Sequence, residues 1–128
     1  MQAGERLFWT VEHGDLEELR NIFAEGAMVW HNTDEKLTDV ETSISNLRKI
    51  RTTATEFRYV DIEREPTPSG FVQRHTLIVG MPDGRRIRDL CCCLCKVEAG
   101  RITRMDAYHD SAATGAMPHH APAAGSAA

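Results

Sequence analysis

The sequence lacks any run approaching the roughly 20 consecutive apolar residues that a membrane span requires, so no membrane-spanning helix is expected in it. It also lacks a basic excess. The formal charge is −4, and no basic patch interleaves with aromatics, which argues against nucleic acid as a partner. Arg85, Arg86 and Arg88 cluster only after a turn, the usual place for solvated charge. The opening Met1-Gln2-Ala3-Gly4-Glu5-Arg6 lacks the basic-then-apolar order of a secretory leader. The expectation is therefore a cytoplasmic protein with reduced thiols. No second Cys-x-x-Cys and no suitably spaced histidine pair accompanies the single cysteine cluster, so a closed zinc site is not expected.

What is present fits one ordinary folded unit. The 128 residues, 41% hydrophobic and 27% charged, are enough for a single core. Residues 1–112 are expected to form the domain. Residues 113–128, almost wholly Ala, Gly, Pro, Ser and His, are expected to form a flexible tail. The adjacent His119 and His120 on that tail are weak evidence for a metal.

Leu7, Phe8 and Val11 make one helical stripe that Gly14 stops. Asp15 with Glu18 opens a second helix, carrying Leu16, Leu19, Ile22 and Phe23 as far as Gly26. Ala27 to Asn32 reads as a strand, and Thr38 with Glu41 as the cap of a third helix through Val40, Ile44, Leu47 and Ile50. From Glu56 the period changes to two. Strands are expected over 56–65 and 71–80, then a hairpin over 86–110 turning at Glu98-Ala99-Gly100. Helices followed by a meander of antiparallel strands make an α+β fold.

All four cysteines, Cys91, Cys92, Cys93 and Cys95, lie in the first arm of that hairpin. Alternation along a strand puts Cys91, Cys93 and Cys95 on one face and Cys92 on the other. The formal Cys92-x-x-Cys95 spacing then diverges, and the cysteines read as buried thiols lining a core or cavity. Redox signalling is the weaker alternative.

The helical opening with Gly14-Asp15-Leu16, the strand Val29-Trp30-His31-Asn32 and the ending Gly100 to Ala112 (GRITRMDAYHDSA) resemble the NTF2-like superfamily. Within it the SnoaL-like group is most similar, with polyketide cyclases as members and ketosteroid isomerases and limonene epoxide hydrolases as relatives. The resemblance spans about residues 5 to 112. It implies a cone-shaped NTF2-like barrel, its curved antiparallel sheet wrapped by N-terminal helices around a pocket. It also implies a homodimer through the outer sheet face. Carried over residue by residue, the isomerase aspartate falls on Asn32 and its tyrosine on Leu7. The cyclase aspartate falls on Cys93. The epoxide hydrolase tyrosine and asparagine fall on Trp30 and Asn32, and its last-strand aspartate on Ala107, beside Asp106. None of the three mechanisms is intact.

The remaining chemistry centres on His75, the expected general acid or base, with Asp89 orienting it. A structural His75, and an Asp89 paired with Arg86 or Arg88, are the plainer readings. Trp30, Asn32, Gln73, Cys91, Cys93, Met105 and Tyr108 are the expected ligand contacts, with His31 pointing away from the pocket. The expected function is binding of a small hydrophobic cyclic metabolite, as a cofactor-independent isomerase, cyclase or dehydratase. The alternative is a binding or scaffold module that kept the pocket without the chemistry. Neither cofactor nor metal is expected.

Overall fold

The computed structural model describes residues 1–115. The His119–His120 pair and the expected tail from residue 116 onward lie outside the described residues. Helix α1 (Ala3–His13) buries Leu7, Phe8 and Val11 and closes with the Gly14 amide donating to the Thr10 carbonyl. A single 3₁₀ turn, Leu16–Glu18, follows. Its Asp15 cap accepts from the Glu17 amide at 2.9 Å. Helix α2 is only Leu19–Ile22. The expected run to Gly26 ends early because Phe23 starts strand β1 (Phe23–His31) by pairing with Ile102. Gly26, with φ +78°, lies where that strand's register shifts.

Strand β2 (Lys36–Asp39), which period-two reading misses, returns antiparallel beside β1. Thr38 sits in it, its hydroxyl donating to the Val29 carbonyl. The cap of α3 (Val40–Thr53) is consequently Asp39, not Thr38, and accepts from the Thr42 amide at 2.8 Å. The chain then runs through β3 (Glu56–Thr67), β4 (Gly70–Gly80), β5 (Arg86–Glu98), β6 (Arg101–Tyr108) and the short α4 (Ser111–Gly115). Residues 113–115 complete that short helix, with Thr114 buried.

The strands make one sheet in the order β2-β1-β6-β5-β4-β3. The expected sheet was antiparallel throughout; here β1 and β6 run parallel, so it is mixed. That pairing joins residues about eighty positions apart, for example His31 with Ala107. No local turn signal encodes it. The sheet is also open, with β2 and β3 as its edges, so it curves over α1 and α3 as a cone without closing as a barrel. The concave face carries the core: Leu7, Phe8, Val11, Leu19, Ile22, Phe23, Val29, Ile44, Cys93 and Ile102 pack together. No helix among the described residues is long and apolar enough to cross a membrane.

Candidate active site

Within the cone lies a cavity of about 260 Å³, somewhat smaller than a drug-sized site. Its walls are mainly apolar, from Leu7, Phe8, Val29, Leu47, Met105 and Ala107. Its polar groups converge from the sheet. Strands β4 and β5 pair without a bulge, so their alternation holds over the whole length. On β5, Asp89, Cys91, Cys93 and Cys95 point inward and are buried, while Cys92 is exposed. On β4, Gln73, His75 and Leu77 share that face, His75 lying opposite Cys91 and Leu77 opposite Asp89.

Asp89 is 1% exposed and anchors a chain of side chains. Its Oδ2 lies 2.8 Å from His109 Nδ1, and its Oδ1 accepts from the Asp110 amide at 2.9 Å. The other nitrogen of His109, Nε2, lies 3.0 Å from His31 Nδ1, with the rings stacked. A carboxylate only accepts, so His109 donates from Nδ1. His109 Nε2 can then accept from His31 Nδ1, which leaves His31 Nε2 as a lone pair on the cavity side. Burial holds the His31 pKa down at about 4, with His109 as the next cause. Asp34 and Asp89 oppose the shift. His31 therefore stays unprotonated at neutral pH.

His75 lies on the same cavity and is 4% exposed, boxed by Phe8 and Tyr59. Its Nδ1 is 2.9 Å from Gln73 Nε2, and Gln73 Oε1 accepts from Arg64 Nε at 2.7 Å. Burial, then His109 in its protonated form, lowers the His75 pKa to about 4, with Arg64 adding to the shift and Asp89 opposing it. Burial also pushes the Tyr59 phenol up.

Asp89, Cys91 and His109 offer donor atoms within 4.8 Å of one another, the kind of group that can hold a metal. In this arrangement the Cys91 thiol contacts the Asp89 carbonyl at 3.4 Å, and Asp89 and His109 are bonded to each other. Burial, followed by the charge of Asp89, pushes the Cys91 pKa well up. Cys93 is raised by burial as well, and Cys95 is pushed up to about 12. Three of the four cysteines are thus protonated, unreactive thiols. Asp89, His109 and His31 form a hydrogen-bonded chain that reaches the cavity.

The expected site residues divide into two groups. His75, Asp89, Cys91, Cys93 and Met105 line the cavity. Trp30, Asn32, Gln73 and Tyr108 do not. Trp30 and Tyr108 pack edge to face on the convex side, ring centroids 5.3 Å apart, because Val29 and His31 take the inward phase of β1. Asn32 grips the backbone of His109, accepting from its amide at 2.7 Å and donating to its carbonyl at 3.1 Å. It holds His109 in place and does not line the cavity. Gln73 is wholly buried beneath His75. Asp89 pairs with His109, whereas Arg86 meets Glu56. Sequence reasoning turned His31 away from the pocket and left His109 at the polar end of the last strand, outside the expected contacts. Alternation from Met105 through Ala107 would have reached His109, since all three face the cavity.

No protein-family model and no curated protein matches the sequence. Solved structures do. The chain is similar to an NTF2-like protein of unknown function from Burkholderia pseudomallei, at 16% identity and TM-score 0.75, covering 91% of this chain and 94% of that one. The chain has the NTF2-like fold. IdmH, a proposed polyketide cyclase from Streptomyces antibioticus, aligns at 16% identity and TM-score 0.76 over 87% of this chain and 91% of its own. An LEH-like epoxide hydrolase of M. tuberculosis aligns at 16% identity and TM-score 0.69 over 84% and 80%. At such identities the likeness is of NTF2-like architecture, and the chemistry has to be argued from this chain's own side chains.

Proposed function

We propose that this chain is a SnoaL-like protein that takes a small, largely apolar, cyclic metabolite into its cone. There it moves protons on the ligand without a cofactor, as an isomerase, cyclase or dehydratase. The observation that carries the reading is the Asp89–His109–His31 relay ending on an apolar cavity. His31 Nε2 takes a proton from the ligand. The Nδ1 proton of His31 passes to His109 Nε2, and the imidazolium formed faces the Asp89 carboxylate. Reversing the relay returns a proton at a second ligand atom, so nothing is consumed. The arrangement parallels other carboxylate-oriented histidine bases. His75, the base expected from sequence, is reassigned because its Nδ1 is engaged by Gln73.

A screen of cyclic ketones and enones for solvent deuterium uptake tests this proposal. Exchange by the native protein, lost in His31→Ala with binding retained, is the expected result. Exchange that persists undiminished in His31→Ala contradicts the relay.

The second reading, a binding module without turnover, is favoured by the Asn, Cys and Ala at positions 32, 93 and 107. Ligand recovered chemically unchanged across the whole screen would support it. Both readings are for a cytosolic homodimer, a second copy covering the convex face where Leu90, Leu94 and Tyr108 are exposed. Sedimentation of Leu94→Glu as a monomer, against a dimeric native protein, is the expected outcome there.

A further inference from the structure

The proton on His75 can be located because each of its neighbours can play only one part. A guanidinium donates and never accepts. Arg64 Nε lies 2.7 Å from Gln73 Oε1, which fixes the oxygen end of that amide toward the arginine. The amide nitrogen then faces His75 Nδ1 at 2.9 Å, and an amide NH₂ only donates. Nδ1 must hold a lone pair, so the ring proton of neutral His75 sits on Nε2. Gln73 is 0% exposed, so water does not compete for either end of its amide.

Nε2 has no protein partner among the described residues, yet it is not sealed in. The one fully buried, unpartnered side-chain polar atom among them is Thr114 Oγ1. His75 lines the cavity, so its Nε2–H opens on the ligand space. A polar N–H in an apolar wall is poorly solvated, and an oxygen entering the cavity relieves it.

We infer that His75 is a fixed hydrogen-bond donor for an oxygen of the ligand, a carbonyl or a phenolate. Gln73 and Arg64 are the positioning residues that hold its tautomer. The inference rests on the ligand-binding reading of the cavity given above, and it narrows the ligand class. Cyclic ketones, enones and phenols bind with oxygen toward His75, whereas a group that only donates gains nothing there. When His31 removes a proton from the carbon beside a carbonyl, the C–H pair becomes the C=C of an enolate. The C=O pair moves onto oxygen, where His75 Nε2–H receives it without giving up its proton.

The test compares the native protein with Gln73→Glu, whose carboxylate only accepts and can still meet Arg64. Two probes of one shape are used, 4-nitrophenolate and 4-nitrotoluene, alongside long-range ¹H–¹⁵N spectra of His75 at mildly alkaline pH. The native protein is expected to show His75 protonated on Nε2, and Gln73→Glu on Nδ1. The variant is expected to lose roughly tenfold in 4-nitrophenolate affinity, the worth of one hydrogen bond, with 4-nitrotoluene unchanged. Arg64→Met, which frees the amide to turn, gives a mixture of tautomers and a smaller loss. A native His75 protonated on Nδ1 overturns the inference. So does the inferred tautomer with equal phenolate affinity in both proteins, or native binding of 4-nitrotoluene but not 4-nitrophenolate. Failure of both probes to bind the native protein overturns the cavity reading itself.

Discussion

His31 and His75 share one cavity and one lowered pKa of about 4, yet they present opposite chemistry to it. The difference lies in the residues behind them. His75 is backed by an amide that donates, held by an arginine that can only donate; its free nitrogen carries a proton. His31 is backed by a histidine that a carboxylate has already oriented; its free nitrogen carries a lone pair. A buried imidazole is thus made donor or acceptor by the sign of the charge two side chains away, Arg64 or Asp89. Buried partners of this kind orient a functional histidine much as outer ligands orient metal-bound ones.

The largest break in that comparison is Asp89→Asn. An amide in place of the carboxylate can donate to His109 and reverse its tautomer. Turnover of the first substrate found is expected to fall by about 10⁴-fold, the size seen when a catalytic histidine is turned to the wrong tautomer. Steady-state kcat measures it.

Next come the two histidines themselves. His31→Ala is expected to lower kcat by about 10² to 10⁴-fold and leave affinity nearly unchanged. His75→Ala is expected to weaken binding of the oxygen-bearing ligand as well, by roughly tenfold. Titration calorimetry beside initial rates separates them, and equal profiles for the two variants would remove the distinction.

Stability should follow pH through both rings. Their folded pKa values, about 4, lie below the ordinary 6.5, so between these values the unfolded chain binds more protons. Their joint contribution is complete above about pH 6.5, is lost as pH falls toward 4, and levels off below. His109, Asp34 and Asp89 face His31, and His109, Asp89 and Arg64 face His75. Urea midpoints for the native protein and the double His→Phe variant check it, the variant being flatter over that window.

The smallest effect is expected from Gly4→Ala. A Cβ there would stand 2.8 Å from Arg64 Nε and 3.0 Å from Phe71 Cζ. Arg64 would shift off Gln73 and loosen the His75 tautomer. Phenolate affinity should drop about threefold, a fraction of one hydrogen bond, with His31-dependent exchange untouched.

How much of this the sequence discloses depends on whether a feature is local to one strand or joins distant ones. Strands β4 and β5 pair in unbroken register, and there alternation alone puts His75, Asp89, Cys91 and Cys93 on one inward face. Strand β1 shifts register between Phe23 and Met28, around Gly26, yet its alternation survives, since Phe23, Val29 and His31 all line the cavity. The inward Trp30 and Asn32 came from carrying relatives' residues onto this strand, one position out of phase with its own apolar residues. Strand β6 shifts too, near Lys96 and Val97 of its partner. The helices announce themselves through apolar stripes, but α2 yields to strand pairing at Phe23. The parallel union of β1 with β6, which brings His31 to His109, joins distant segments and leaves no periodic trace.

Everything above turns on the two cavity histidines being opposite tautomers. Long-range ¹H–¹⁵N correlation on the ¹⁵N-labelled native protein, at mildly alkaline pH, reads both rings at once. His31 is expected to be protonated on Nδ1 with Nε2 bare, and His75 on Nε2 with Nδ1 bare. The same tautomer on both rings would contradict it.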